Sequence, residues 1–452
     1  MSGMAVQPVL LWSDALLFVL IGVIVALVLW ARRQDALRAA WARVAQNGVA
    51  MAAATVLGVF VLIGLLDSLH YRARLESPAG ATARYAVEVN SALDALLADL
   101  RLRTEKTYSA PLATHLFARE ALENSTQREF PRLQYGGAHL GENLSGRGLD
   151  IAVRVLRGVG GGLVVWLLLM LLARRIKVGA GGTAVRAVAV TLLPILLLFG
   201  VAISLSGGYH VFGTDKVGQD VLYLSLKAIR TGLLIGTLTT LVMLPAALLL
   251  GILAGYVGGW VDDLIQYVYT TLSSIPGVLL IAAAVLMMQV VIDTHPDWFA
   301  TSAERADARL LALCLILGMT SWTGVARLLR GETLKLRELE FVQAAQAFGV
   351  GPFAIMRRHI LPNLMHIVLI SLVMDFSGLV LAEAVLSYVG VGVDPTTISF
   401  GTMINTARME LAREPMVWWS LVAAFSFMFA LVLAANLFAD AVRDAFDPRS
   451  SA

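Results

Sequence analysis

The sequence predicts an all-α, polytopic membrane protein, built as a bundle of about nine transmembrane helices. Of its 452 residues, 58% are hydrophobic and only 15% are charged, and the mean hydropathy is +0.76. Soluble domains are about half apolar and about a quarter charged. The apolar residues are gathered into long stretches, and several reach the roughly 20 residues that a spanning helix needs. The net charge of +3 is small, and no basic stripe typical of a nucleic-acid-binding surface is present.

Nine stretches are predicted to span the membrane: 9–30, 49–69, 155–173, 187–206, 231–257, 264–291, 310–329, 364–390 and 417–439. The first stretch follows no basic segment and ends at two arginines, which indicates a retained span and not a cleaved signal. Four segments carry Lys and Arg close to predicted spans: 31–48, 174–186, 330–363 and the C-terminal tail. Nine spans place all four on one side, so we expect an extracytoplasmic N-terminus and a cytoplasmic C-terminus.

Four regions follow from this pattern. Residues 1–70 hold two spans, residues 71–154 form an extracytoplasmic insert, and residues 155–186 hold a third additional span with a cytoplasmic loop. Residues 187–452 hold six spans with short connections. The six-span part is expected to be the functional core, and the rest an addition to it.

The cytoplasmic connection 340–363, "EFVQAAQAFGVGPFAIMRRHILPN", has more pattern than a simple loop. Phe341, Ala344, Ala345 and Phe348 recur at helical spacing and predict one apolar stripe on a short helix. The segment Gly349–Pro352 should end that helix, because Gly tolerates positive φ and Pro cannot continue a helix. A second helix is expected from Phe353 to Leu361 and Pro362. The residues alone leave two interpretations open: a knob gripped by a partner protein, or an interfacial helix on lipid headgroups.

This connection resembles the EAA loop of the permease subunits of ABC importers. Gln343, Ala344 and Ala345 stand for the Glu-Ala-Ala of that loop, Gly349 fills its glycine, and "HILP" from His359 through Leu361 to Pro362 closes it. Gln343 departs from the usual Glu. His359 departs from the usual Ile, but "RHILPN" is typical of the peptide-importer subclass.

Four further segments are similar to the dipeptide and oligopeptide permeases, in the same order along the chain. They are "FGTDKVGQDVLYLSL" (212–226), "AGYVGGWVDDLI" (254–265), "AEAVLSYVGVGVDP" (382–395) and "NLFADAVRDAFDPR" (436–449). The resemblance covers about 210–449 and leaves the first 185 or so residues largely uncovered.

The resemblance implies a type I importer permease core that lies in a bacterial inner membrane, with its N-terminus in the periplasm, and that binds no cofactor itself. The chain contains no GxxxxGK followed by Ser or Thr, the phosphate-binding signature, so ATP and Mg would be bound by partner subunits. The implied partners are a homologous second permease subunit, two ABC ATPase subunits, an extracytoplasmic solute-binding protein and the lipid bilayer. Gln343, Ala344, Ala345, Phe348, Gly349, His359, Leu361 and Pro362 would couple the permease to the ATPases.

Two carboxylates, Asp375 and Glu383, lie within one predicted span, where ionisable groups are rare and are candidates for function. Eight residues at about 100° each separate them by roughly 80° around a helix, so both can border one cavity. Glu383 matches a family glutamate and has a structural interpretation. Asp375 could meet the ammonium group of a peptide in the translocation pathway, or could instead be a helix-packing hydrogen bond.

Two other classes of protein remain open from the sequence. An ion- or proton-coupled secondary transporter would use Asp375 and Glu383 as a relay, and a membrane scaffold would recruit partners through the insert. The single cysteine, Cys314, excludes an intramolecular disulfide and a cysteine-based metal cluster.

The insert carries Tyr108, Phe117, Phe130 and Tyr135 among many charges. Aromatic and Arg anchors often dominate protein contacts, so one hypothesis is that the insert docks or gates a solute-binding protein. The alternative is a passive ordered loop.

Overall fold

The computed structural model of the protein describes residues 6–75, 84–121, 128–141, 144–175 and 182–446. The predicted loop residues 176–181 and the last residues of the "DPR" terminus, 447–449, therefore lie outside the described residues. So do residues 450–452.

The N-terminal and insert regions contain short strands and helices. The strands are β1 (Val6–Val9), β2 (His70–Leu75), β3 (Arg84–Tyr85), β4 (Asn90–Ser91), β5 (Glu120–Ala121) and β6 (Arg128–Glu129). The helices up to the end of the insert are α1 (Trp12–Ala31), α2 (Asp35–Gln46), α3 (Gly48–Asp67), α4 (Ala92–Leu96) and α5 (Ala98–Leu102). All of the described strand pairs are antiparallel, and β1 pairs with β2 in the register Val6 to Ala73.

The rest of the described chain is helical. The helices are α6 (Arg147–Arg175), α7 (Gly182–Ser206), α8 (Val221–Val257), α9 (Gly259–Ser274), α10 (Gly277–Thr294), α11 (Ser302–Arg337), α12 (Glu340–Ala347), α13 (Pro352–Ile355), α14 (Leu361–Val389), α15 (Phe400–Glu410) and α16 (Trp419–Phe446). A π-helical turn, Met356–Ile360, joins α13 to α14.

Eight helices of the described chain are long and apolar enough to cross a membrane: α3, α6, α7, α8, α10, α11, α14 and α16. The helix α1 covers the first predicted span, but its assessed apolar part, Trp12–Ala26, is too short to count with those eight. The prediction of an all-α, polytopic membrane protein is confirmed. The small sheets before α1 and in the insert are an addition that the sequence analysis did not anticipate.

Two predicted elements are wrong in detail. The span predicted at 264–291 is interrupted, because α9 ends at Ser274 and α10 starts at Gly277, with Ile275 in an extended conformation between them. Pro276 causes the interruption, since proline has no N–H for the helix and restricts the residue before it. The second loop helix does not end at Pro362 but continues through the π turn into α14.

The chain divides into two compact units. The first comprises 1–10, 42–232 and 397–434, and holds the insert, α3 and the hairpin of α6 and α7. The second comprises 11–41, 233–396 and 435–452, and holds α9 to α14. In the second unit, one hydrophobic cluster surrounds Trp322 and Leu329, and another surrounds Leu313 and Leu317.

Candidate functional site

The candidate site is the loop between α11 and α14, and the neighbouring helix pair positions it. Gly255 of α8 lies against α11 so closely that an added Cβ would stand 2.8 Å from the carbonyl oxygen of Arg330. Gly251, one turn earlier, meets the carbonyl oxygen of Ala326 at the same 2.8 Å. Any larger residue at these two positions would push the backbones apart. The close approach places the C-terminal end of α8 beside the last turns of α11.

The turn after α8 requires glycine. Gly258 and Gly259 have φ angles of 68° and 56°, a left-handed region that costs other residues about 1–2 kcal/mol each. The turn brings Asp262 of α9 to Arg330, whose Nε and Nη2 donate hydrogen bonds of 2.6 and 2.7 Å to its two carboxylate oxygens. This two-point contact gives the "AGYVGGWVDD" segment a physical role: it fixes α9 to α11.

The helix α12 has an inner and an outer face. Val342 and Ala345 are buried in the cluster that includes Leu329 and Ile355. Phe341, Ala344 and Phe348 are exposed, Phe348 by 87% of its surface. The predicted single stripe of four apolar residues is therefore wrong for Ala345, because that residue packs onto its own chain.

The end of α12 is a hydrogen-bonded glycine cap. Gly349 adopts a φ of 77°, its N–H donates to the Gln346 carbonyl at 2.9 Å, and the Val350 N–H donates to the Ala345 carbonyl at 3.0 Å. This pair of bonds is the Schellman arrangement that ends helices at a left-handed glycine. Helix termination at Gly349 agrees with the prediction.

Polar contacts tie the loop to the end of α8. Gln346 donates from Nε2 to the Tyr256 phenolic oxygen at 3.3 Å, and Arg337 donates from Nη1 to the Tyr256 carbonyl at 3.2 Å. Gln343, the departure from the usual Glu, is exposed and donates to the Glu338 carbonyl at 3.2 Å. Sequence reasoning singled out Gln343 but missed Gln346 and Tyr256, although the Tyr lies within a quoted motif.

The π turn connects the loop to α14. The Leu361 N–H donates to the Met356 carbonyl, five residues back. The wider turn suits Pro362, which has no N–H to offer the preceding turn. Asn363 donates from Nδ2 to the His359 carbonyl at 2.6 Å, and the His359 ring lies 6.1 Å from the Phe341 ring. The closing "HILP" therefore makes α13 and α14 one continuous helix.

The two carboxylates of α14 differ in their surroundings. Glu383 is buried and accepts a hydrogen bond of 2.6 Å from the Ser387 hydroxyl, one turn later on the same helix. The Oδ2 atom of Asp375 is buried and makes no hydrogen bond to the described residues. Asp375 therefore lacks the helix-packing hydrogen bond at that oxygen.

The insert contacts the segment 208–220, which carries the "GTD" motif. Glu105 accepts hydrogen bonds from the backbone N–H groups of Gln134, Tyr135 and Gly136 at 2.8–3.1 Å. His210 lies between Glu105 at 3.3 Å and Asp220 at 2.8 Å.

Further bonds run along the same seam. The Thr214 N–H donates to the Ser109 carbonyl at 3.1 Å, and the Ser109 N–H donates to the Thr214 hydroxyl oxygen at 2.7 Å. The Trp419 indole N–H donates to the Thr214 carbonyl at 2.9 Å, and its ring lies 4.8 Å from the Phe117 ring. The insert is thus built into the "GTD" segment and the start of α16.

The aromatic residues of the insert are mostly not available to a partner. Tyr108 is buried and lies under the Arg413 guanidinium at 5.5 Å. Phe117 and Tyr135 are half-buried. Phe130 alone among the four is exposed, with Arg119 above its ring at 5.1 Å. The predicted mixed aromatic surface is therefore wrong for Tyr108, and Phe130 carries what is left of it.

Together, these helices define a multi-pass membrane protein. The family model described as binding-protein-dependent transport system inner membrane component matches residues 247–452. Oligopeptide transport system permease protein OppC of Mycobacterium bovis is 31% identical over 244 residues, which cover 54% of this chain and 77% of that protein. The chain therefore belongs to the family of binding-protein-dependent transport permeases, the membrane subunits of ABC importers.

Two other relatives agree with this assignment. Dipeptide transport system permease protein DppC of Lactococcus lactis is 30% identical over 242 residues, which cover 54% of this chain and 64% of that protein. Glutathione transport system permease protein GsiD of Pectobacterium atrosepticum is 31% identical over 242 residues, which cover 53% of this chain and 73% of that protein.

Proposed function

We propose that this chain is one of two permease halves of an ATP-driven importer for peptides or peptide-like solutes. The three relatives named above carry oligopeptide, dipeptide and glutathione in their names. Glutathione is itself a modified tripeptide, so all three solutes share a peptide chemistry. The chain forms half of the translocation pathway and takes its energy from ATP hydrolysed elsewhere in the complex.

The complete importer contains a homologous second permease subunit, two ABC ATPase subunits that bind ATP and Mg, and an extracytoplasmic solute-binding protein. The chain contributes no ATP site and acts as a non-catalytic subunit. The N-terminus is periplasmic and the C-terminus cytoplasmic. Reporters fused near residue 110 should be periplasmic, and reporters near 40, 180, 345 and 452 should be cytoplasmic; a cytoplasmic signal at 110 contradicts this topology.

The observation that carries the proposal is the two-faced loop. Its inner face, Val342 and Ala345, is anchored in the hydrophobic core of the second unit, and its outer face exposes Phe348 and Phe353 by 87% and 72%. Large exposed aromatic side chains on a short polar loop are suited to fill pockets on a partner. Because the π turn makes α13 continuous with α14, a partner that moves Phe353 of α13 also moves that span.

Crosslinking tests the docking directly. Replacing the buried Cys314 with Ala gives a cysteine-free chain, into which Phe348→Cys is introduced and the complex is treated with a short bifunctional thiol reagent. We expect a crosslink to an ATPase subunit carrying a cysteine in its membrane-facing groove, with a yield that changes on addition of ATP. Val87→Cys, at an insert position that is 77% exposed, is the matched control and should give no such product. Reaction of residue 348 with lipid-directed probes alone overturns the docking.

Uptake measurements separate this function from the alternatives. Peptide uptake should stop when the ATPase subunits are inactivated. Uptake that persists would instead support an ion-coupled secondary transporter with Asp375 and Glu383 as its relay. A complex that assembles but moves no peptide would support a scaffold.

A further inference from the structure

The interruption between α9 and α10 exposes polar groups on a face that is otherwise apolar. Thr270, Ser273 and Ser274 are exposed, as are Pro276 and Gly277. On both sides of this segment, α9 and α10 expose large hydrophobic side chains, among them Leu264, Tyr267, Leu279, Leu286 and Met287. We call Thr270–Gly277 the polar break.

The backbone of the polar break is also not fully paired. Ile275 is extended, and its N–H makes no backbone hydrogen bond to any described residue. Two of the hydroxyls of the break bond back to their own helix: Thr271 donates to the Tyr267 carbonyl at 2.8 Å, and Ser274 to the Thr271 carbonyl at 2.7 Å. Thr270 and Ser273 have no such bond within the described chain.

Contacts with α11 show where the polar break lies along the length of that helix. The Arg327 guanidinium of α11 lies 5.0 Å from the centre of the Tyr269 ring, just before the break. After the break, Ile281 and Val285 belong to the cluster formed with Leu313 and Leu317. Ten residues of α11, about 15 Å at 1.5 Å per residue, separate these two levels, so the break lies beside the middle of a membrane-spanning helix.

Lipid is not a suitable neighbour for such a surface. At membrane depth, non-helical backbone is tolerated only where it is buried in protein or lines a water-filled cavity. The polar break is exposed in this chain, and its hydroxyls and unpaired N–H need hydrogen-bonding neighbours. Water and a solute rich in amide groups would supply them, whereas a tightly packed protein surface would have to match each group individually.

We propose that the polar break lines the aqueous translocation pathway and hydrogen-bonds the backbone amides of the passing solute. The identity of the solute rests on the proposed importer function. The conclusion that this surface contacts water does not depend on that function. Hydroxyls and backbone groups offer both donors and acceptors, and the peptide bond offers both as well. Such a surface recognises a peptide backbone without selecting its side chains.

The test uses single cysteines in the Cys314→Ala chain, within the full importer in lipid vesicles. Ser273→Cys is compared with Met287→Cys, a position exposed by 73% on the apolar part of α10. A charged, membrane-impermeant thiol reagent is applied from both sides. Because thiolate reactivity requires water, we expect residue 273 to react about tenfold faster than residue 287, or more. The rate at residue 273 should also change when ATP and the solute-binding protein are added.

The labelling results distinguish an aqueous pathway from a lipid-facing surface and from a subunit interface. Equal, slow labelling at both positions overturns the assignment. Protection of residue 273 together with crosslinking to the second permease subunit also overturns it and makes the break a subunit interface. Fast, state-dependent labelling supports it even if peptide uptake fails, because labelling does not depend on which solute is moved. Protection of the 273 thiol by a peptide, but not by a sugar of similar size, supports the amide-binding part; equal protection by both overturns that part.

Discussion

Arg330 and Asp262 form a two-point ion pair, with hydrogen bonds of 2.6 and 2.7 Å, that joins the last turns of α11 to the first turn of α9. Both side chains are largely buried, so removing one leaves the other with an unsatisfied charge. We expect Asp262→Asn to lower peptide uptake by about tenfold, corresponding to about 1.4 kcal/mol, because the coupling loop loses its fixed support. Asp263→Asn, at the neighbouring and exposed position, is the control and should transport normally. Equal transport by both variants would show that this ion pair is not needed for coupling.

Ala344 is exposed and its neighbour Ala345 is buried, so substitutions at the two positions distinguish docking from folding. Ala344→Asp should leave the amount of protein in the membrane unchanged and reduce co-purification of the ATPase subunits. Ala345→Asp should reduce the amount of the protein itself, because it buries a carboxylate among Val342 and Ile355 without a partner. Quantifying the permease and the ATPase in one purified sample measures both effects. The opposite pattern would mean that Ala345 and not Ala344 faces the ATPase.

Asp375 is expected to recognise a positive charge in the pathway. Asp375→Asn keeps the size of the side chain and removes its charge, so uptake of peptides with a free N-terminal ammonium should fall several-fold, by about 1–2 kcal/mol of lost charge-assisted hydrogen bonding. Uptake of N-acetylated peptides should be unchanged. An equal loss for both kinds of peptide would assign Asp375 to packing. Ser377 lies on the same helix as Asp375 and donates a hydrogen bond of 2.7 Å to Asn436 of α16, so Ser377→Ala provides a packing control.

Much of this architecture was predictable because it depends on composition and spacing. Long apolar runs give the spans, and Gly349 must end α12 because the left-handed conformation there needs glycine. The two faces of α12 were harder to predict, since Ala has no amphipathic signature and only the position of Leu329 and Ile355 in space shows that Ala345 is buried. The interruption at Ile275 carries a clear signal, "SSIPG", which a reading based on hydropathy alone overlooks.

The insert was beyond sequence reasoning for a different reason. Its contacts join residues about a hundred positions apart, such as Glu105 with His210 and Ser109 with Thr214. The spacing of residues within a helix or strand does not predict contacts between positions so far apart in the sequence. His210 itself carried no signal, because a histidine without a nearby ligand pattern is most simply interpreted as an ordinary buried residue.

His210 predicts how the stability of the insert depends on pH. Burial alone would lower the pKa of His210, but hydrogen bonds and charges from Asp220 and Glu105 outweigh burial and raise the pKa to about 9. A raised pKa means that the charged form stabilises the folded state, so this contribution is complete below the ordinary value of 6.5 and is lost as the pH rises through 9. Limited proteolysis of the insert in the intact complex should therefore accelerate between pH 7 and 10.

The same experiment on His210→Gln should remove most of that pH dependence and give faster proteolysis at neutral pH. His295→Gln, at an exposed histidine of the second unit, should behave as the unmodified protein. Glu105 is expected to affect stability at acidic pH. Burial would raise its pKa, but hydrogen bonds from His210 and the backbone lower it, so its contribution should be lost only as the pH falls below about 4.5. A protease profile that is flat from pH 7 to 10 in the unmodified complex would contradict the role of His210.

Deleting residues 75–145 should destabilise the complex. The deletion removes Glu105, Ser109 and Phe117, which contact His210, Thr214 and the Trp419 ring. Buried polar groups that lose a partner cost about 1–3 kcal/mol each. We expect less assembled importer in the membrane, so the loss of uptake by the deletion would not show whether the insert docks the solute-binding protein. Normal assembly of the deletion would mean that the contacts with the segment 208–220 contribute little.

Docking is better tested at Phe130, which among the described aromatic residues of the insert is exposed and has an arginine above its ring. Phe130→Ser combined with Arg119→Ser removes this pair from the surface and leaves Glu105, Ser109 and Tyr108 in place. If the insert binds the solute-binding protein here, the double variant should assemble normally but lose several-fold of the ATP hydrolysis that the loaded binding protein stimulates, since an exposed aromatic-cation anchor is worth about 0.5–2 kcal/mol. Leu102→Ser, at another position of the insert that is 72% exposed, is the control for a general loss of surface hydrophobicity. Unchanged stimulation in the double variant would contradict docking at this position. The insert would then be assigned a structural function, through its contacts with Thr214 and Trp419.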